Sequence, residues 1–146
     1  VNHIAAEWLN LKGIDTAHTV AISVRRGDFT TDPNHYLLPA TYYIQAYEQH
    51  FKSWDICFFS DDLSWCMSNL GNLARKCYFA TGLNGILQLA VMRNFNNYII
   101  ANSTFSWWGA YLSADNKKTI RPFHHFDGPL LHLDISDHYP QDWLAM

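Results

Sequence analysis

At 146 residues the chain has the length of one domain and can bury a substantial core. Hydrophobic residues make up 49% and charged residues only 16%, against roughly a quarter in an ordinary protein, which excludes a disordered tail, a coiled coil or a solvated linker. A net charge of −3 provides no basic footprint for nucleic acid.

Val1–Asn10 lacks the basic start and long apolar stretch of a signal peptide. His18–Val24 (HTVAISV) is a β-branched run that predicts a strand. Pro39–Ser53 predicts a helix, with Pro39 in its first turn and Tyr43, Ala46, Tyr47 and Phe51 forming a stripe. Asp55–Ser60 (DICFFS) predicts a buried strand. A short helix, Asp62–Leu70, follows, capped by Asp61 or Asp62 and stopped by Gly71. Strand Lys76–Ala80, helix Asn84–Phe95, strand Asn97–Ala101, helix Phe105–Ala114 and strand Lys117–Arg121 complete the series. Pro122–Pro140 is irregular, and Asp142–Met146 is expected to pack back as a tail.

Short strands alternating with helices predict one Rossmann-like, doubly wound α/β domain with a mainly parallel sheet of about five strands. Cys57, Cys66 and Cys77 fit no zinc or CxxC spacing and read as free thiols in a reducing compartment. This places the protein in the cytoplasm or on the cytoplasmic face of a membrane.

Three polar clusters each follow a predicted strand: Arg25-Arg26-Gly27-Asp28, Ser60-Asp61-Asp62 and Asn102-Ser103-Thr104-Phe105-Ser106. Right-handed crossovers bring them to one sheet edge, where open parallel sheets bind ligands. Arginine forks match phosphate oxygens. The Ser103–Ser106 helix start offers free N–H groups and hydroxyls to an anion. A carboxylate at Asp61 or Asp62 can accept from a purine such as guanine. Donors on two clusters and an acceptor on the third suit a nucleoside diphosphate. Neither GxGxxG nor GxxxxGK[ST] occurs, which disfavours a nicotinamide enzyme or P-loop NTPase. Each cluster also has a plainer role: surface charge for the arginines, helix caps for Asp61-Asp62 and Asn102–Thr104. Trp107 and Trp108 read as core. His124, His125, His132 and His138 have no metal-ligand spacing.

The wording of these clusters resembles glycosyltransferase family 11, the α-1,2-fucosyltransferases. NSTFSWWGAYL (Asn102–Leu112) is similar to the family's NSSFSWWGAWL. VAISVRRGDF (Val20–Phe29) resembles its HxRRGD motif, FFSDDLSWC (Phe58–Cys66) its FSDDxxW motif, and LLPATYYIQA (Leu37–Ala46) the helix start between them. Order and spacing agree, and YPQDWL (Tyr139–Leu144) is similar to the family's closing Pro-x-x-Trp. Ser23 stands where the family usually has the motif's histidine, Gln88 where an aspartate is common, and Phe95 and Asn97 where cysteine and histidine are.

The resemblance implies one GDP-fucose-binding half of a GT-B-type enzyme. The 17 residues before the first strand are too few for the family's acceptor domain, which is expected to be absent. It further implies inverting, metal-independent transfer of L-fucose from GDP-fucose to a galactoside hydroxyl, with no other cofactor. Arg25, Arg26 and Asp28 are the candidate catalytic residues: the arginines stabilise the leaving diphosphate, and Asp28 acts as base or orients Arg26. Ser23, Arg25, Arg26, Asp61, Asp62, Asn102, Ser103, Thr104, Phe105 and Ser106 are the candidate donor-binding residues. Adjacent residues on an extended chain point opposite ways, so one arginine should meet the diphosphate and the other brace the site, paired with Asp28 or a carbonyl. Gly27 is expected to permit a turn there. The implied partners are GDP-fucose, an oligosaccharide acceptor, and either a second copy or an acceptor domain; membrane association is implied by the family alone. Competing readings are a non-catalytic nucleotide-sugar-binding module, a pseudoenzyme that needs a partner, and a hydrolase or polysaccharide-binding module.

Overall fold

The computed structural model describes residues 1–146. The elements run α1 (Asn2–Lys12), β1 (Thr19–Val24), α2 (Ala40–His50), β2 (Asp55–Ser60), α3 (Leu63–Leu70), β3 (Cys77–Phe79), α4 (Gly85–Met92), β4 (Asn97–Ile99), α5 (Thr104–Tyr111), β5 (Lys118–Arg121) and β6 (Leu144–Ala145). Every strand pair is parallel, in the order β3-β2-β1-β4-β5-β6, so the doubly wound α/β reading holds, with six strands rather than about five. No helix is long and apolar enough to cross a membrane.

Side-chain alternation along the strands builds two cores, one on each face of the sheet. Val20, Ile22, Val24, Ile56 and Phe58 face α2 and α3, where Tyr43, Ala46, Tyr47, Phe51, Cys66 and Leu70 meet them. Ala21, Cys57, Phe59, Tyr98 and Ile100 face the other way, toward Ala5, Leu9, Val91, Met92 and Ala110. β1 is buried along its whole length, as expected for a central strand of a parallel sheet. Gly109 lets α5 approach α4 closely, since a Cβ there would run into Met92.

Two elements were not legible in the periodicity. α1 covers the second face with Ala5 and Leu9 and ends on Gly13, whose φ of 65° is left-handed. The spacing of Ala5, Trp8 and Leu9 before that glycine is the signal that could have found it. The closing tail does pack back, and it pairs with β5 as the sixth strand, Ile120 beside Leu144. The irregular stretch before it folds over the carboxyl edge, where His35 bridges Phe126.

Candidate functional site

The sheet order reverses at β1, with β2 on one side and β4 on the other. Such a switch point leaves a crevice at the carboxyl ends of the strands. Register sets what faces it: Val24 pairs with Ser60, so Arg25 and Asp61 emerge side by side. The turn from β4 into α5 supplies Ser103 and Phe105, and the start of α4 supplies Gly85 and Gln88, to the same cleft of about 460 Å³. All three predicted clusters therefore meet on one edge.

The two arginines part as expected. Arg25 lines the cleft, while Arg26 turns back, its guanidinium 4.2 Å above the Trp65 ring and its Nε 4.0 Å from Asp62. Asp28, expected on the bracing arginine, is instead on the cleft arginine: Arg25 donates to Asp28 Oδ1 at 2.7 Å. Arg25 Nε also lies 3.3 Å from Asp61 Oδ2, and the Arg26 backbone N–H donates to Asp61 Oδ1 at 3.0 Å. Asp61 thus fixes the exit of β1 through both side chain and backbone. Gly27 serves this approach rather than backbone freedom: its φ is not positive, and a Cβ would strike the Asp61 carboxylate. Asp62 does not line the cleft. It caps α3 by accepting from the Trp65 N–H at 3.0 Å.

Beyond β4, Ser103 caps α5 by accepting from the Ser106 N–H at 3.2 Å. A hydroxyl chain runs beneath the helix start: Ser103 Oγ to Ser106 Oγ at 2.8 Å, then to Ser23 Oγ at 2.7 Å. Ser106 is fully buried, so it supports the cap rather than facing the cleft. The N–H groups of Thr104 and Phe105, in the first turn, have no partner within the helix and carry its positive end.

Arg25, Ser103 and Phe105 also form one wall of an adjoining cleft of about 670 Å³, closed opposite by Phe29, His35, His125 and Phe126. Asn102 ties this second cleft together. Its amide donates to the carbonyls of Tyr36 and His125, both at 2.8 Å, while its buried Oδ1 has no partner. His125 is buried and accepts or donates at Nδ1 to the Tyr139 hydroxyl, 2.7 Å away. Burial, with His138 and His35 nearby, holds its pKa down to about 4, so it is neutral at physiological pH. Burial pushes the Cys66 thiol up to about 11 and Cys57 higher still, which makes both poor nucleophiles. No three His, Cys, Asp or Glu side chains come together as metal ligands.

Of these lining residues the sequence reading gave no site role to Gln88, Phe29 or His35; it grouped Ser60 with Asp61 and Asp62 and considered His125 only for a metal. Gln88 carried a signal, because it departs from the family pattern; its Nε2 donates to the Leu83 carbonyl at 3.2 Å. Phe95, the neighbouring departure, is buried and edge-on to Phe59 in the core. The loop histidines come from positions far apart in sequence and carried no signal.

The sequence profile of glycosyl transferase family 11 matches residues 2–146. The chain belongs to that family. Two relatives from Escherichia coli show how the family is used. An O-antigen biosynthesis glycosyltransferase, WbnK, is 32% identical over 78% of this chain and 41% of its own length. An alpha-1,2-colitosyltransferase is 30% identical over 91% of this chain and 49% of its own length. The family 11 chain described here therefore spans less than half the length of either relative.

Proposed function

We propose that this chain is the donor-binding domain of an inverting, metal-independent fucosyltransferase that moves L-fucose from GDP-fucose to the 2-hydroxyl of a galactoside. The observation that carries this reading is the convergence of Arg25 and the α5 N-terminus on one cleft at the sheet's switch point. A diphosphate placed at their junction touches both clefts, because Arg25, Ser103 and Phe105 wall both. The nucleoside then lies on the Ser60–Gln88 side and the sugar on the side of Phe29 and His125.

In the reaction, the bond from C1 of fucose to the β-phosphate oxygen breaks as the acceptor oxygen bonds to the opposite face of C1. The electron pair stays on GDP, where Arg25 and the helix start stabilise it as it forms. Asp28, exposed beside Arg25, is the candidate for taking the acceptor proton. Its ion pair with Arg25 is solvent-exposed and therefore weak, which lets a phosphate displace it from the guanidinium. Asp61 stays beneath and sets the fork's angle.

The α-1,2 position is supported by the name of the colitosyltransferase relative, and fucose by the motif resemblance. Colitose is fucose without its 3-hydroxyl, so competition between the two GDP-sugars tests the donor. The coverage of less than half of each relative supports a second domain as the acceptor wall. The three free cysteines support a reducing location, in the cytoplasm or on the cytoplasmic face of a membrane.

Thermal unfolding with GDP, ADP or UDP, with and without a chelator, tests the reading. GDP at 100 times its dissociation constant should raise stability by about 2.7 kcal/mol, with chelator making no difference. Equal stabilisation by all three nucleotides, or none by GDP, removes the guanine assignment. Loss of the effect with chelator removes the metal-free assignment.

A further inference from the structure

The series of clefts at this edge continues beyond the two around Arg25. A third hollow of about 460 Å³ is lined by Thr104, Trp107, Trp108 and His138, and Thr104 and His138 wall the second cleft as well. The three hollows adjoin, each sharing residues with the next. With the nucleoside in the first and the donor sugar in the second, the third is the neighbouring hollow open to a molecule that reaches the sugar.

Its surface is aromatic and held in place. Trp108 is 47% exposed, unusual for so large a ring in a family-specific motif. It packs edge-on against Trp107 at 4.9 Å and against Tyr111 at 5.8 Å, and Trp107 stacks on Tyr111 at 4.5 Å. The Trp107 indole donates to the His138 carbonyl at 3.0 Å, so that ring cannot swing. The indole N–H of Trp108 and the ring nitrogens of His138 make no hydrogen bond within the protein. Burial holds the His138 pKa below its ordinary value, leaving an uncharged imidazole that can donate to or accept from a hydroxyl at neutral pH. None of the four lining side chains is a fixed charge, which argues for a neutral ligand. A half-exposed indole, packed edge-on against the fixed Trp107 and with two hydroxyl-compatible groups at its rim, matches a pyranose, with one face of C–H groups and hydroxyls around its edge.

We propose that this hollow is the acceptor subsite, taking a neutral hexopyranoside with its C–H face on Trp108 and its hydroxyls toward Thr104 and His138. The proposal rests on the donor reading above for its role, but the binding itself can be read separately. This half of the enzyme then contributes directly to choosing the acceptor, rather than leaving that choice to a facing domain.

The test is a titration of the chain with lactose while GDP is present, followed through the indole N–H signals of its six tryptophans. The Trp108 signal, identified by its loss in Trp108→Phe, should shift with a dissociation constant on the order of 1 mM. Trp108→Ala should weaken lactose binding about fivefold or more while GDP affinity stays within about twofold, the ring being half exposed and outside both cores. Thr104→Val should weaken lactose less. GDP binding without a response of Trp108, or unchanged lactose binding in Trp108→Ala, overturns the subsite. A Trp108 response with no GDP binding overturns the donor reading and leaves the sugar platform standing.

Discussion

The middle of β1, β2 and β4 and the residues just beyond their carboxyl ends lie a few ångströms apart and follow opposite rules. In the middle, Ile22 and Phe58 are fully buried in the core on one face and Tyr98 in the core on the other. Just past the ends, Arg25, Asp61 and, four residues on from β4, Ser103 are polar, partly exposed and engaged with each other or with backbone. The middle supplies stability through area removed from water. The edge stabilises less, because its ion pairs are only partly buried, and in the proposed function its donors serve a ligand instead. Substitutions on the two sides should therefore separate folding from binding.

The largest expected effect is on the apolar side. Phe58 is fully buried and stacked on Phe79 at 5.3 Å, so Phe58→Ala should cost about 3–5 kcal/mol in denaturant unfolding. At low temperature, in the fraction still folded, GDP affinity should be unchanged. A large affinity loss in the folded fraction would mean that core and edge are coupled after all.

The next effect belongs to the buried histidine in the wall of the second cleft. His125 is held to about 4 in the folded chain, against about 6.5 when unfolded. Between those values the unfolded state takes up a proton that the native state refuses. Stability should therefore be complete above about pH 6.5 and fall on acidification toward pH 4, by on the order of 2–3 kcal/mol. His138 is shifted the same way and adds to the slope. Asp15, Asp32 and Asp134, held below the ordinary carboxylate value of 3.8, lose their contributions only below this window. Unfolding free energies at pH 7 and pH 5 should differ in the native sequence and much less in His125→Gln. Equal slopes in the two would assign the acid sensitivity elsewhere.

The smallest effect sharpens the comparison most, because it divides two adjacent residues. Arg25→Lys keeps the charge in the cleft and loses the fork, so GDP affinity should fall about tenfold, or 1.4 kcal/mol, with little change in melting temperature. Arg26→Lys should do the reverse, losing about 1 kcal/mol of stability with its stacking on Trp65 while GDP binding stays nearly intact. Identical behaviour of the two variants would end the division of labour between them.

Much of this was legible in the sequence for a physical reason. A residue that terminates a parallel strand must face the carboxyl edge, so a polar cluster after each buried run marks the crevice through residue order alone. The alternation of Val20, Ala21 and Ile22 likewise assigned side chains to two faces. The opposite directions of Arg25 and Arg26 followed from the same alternation. What the pattern missed were weak local signals overridden by packing. α1 is marginal by itself and is held by Ala5 and Leu9 against the second core. β6 has two residues and exists because β5 offers it a ladder.

Periodicity by itself determined the fold class and the edge where the polar clusters gather, and the motif resemblance gave the family. Periodicity did so because burial and strand direction are local consequences of residue order. Only the tertiary structure decided which partner each polar group takes. It put Asp28 on Arg25 rather than Arg26, gave Asp62 to a helix cap, set Asp61 against Gly27, and brought His35, His125 and His138 from separate loops to one cleft. Those choices depend on distances between segments far apart in the chain, and a charged side chain takes whichever partner the fold brings within about 4 Å.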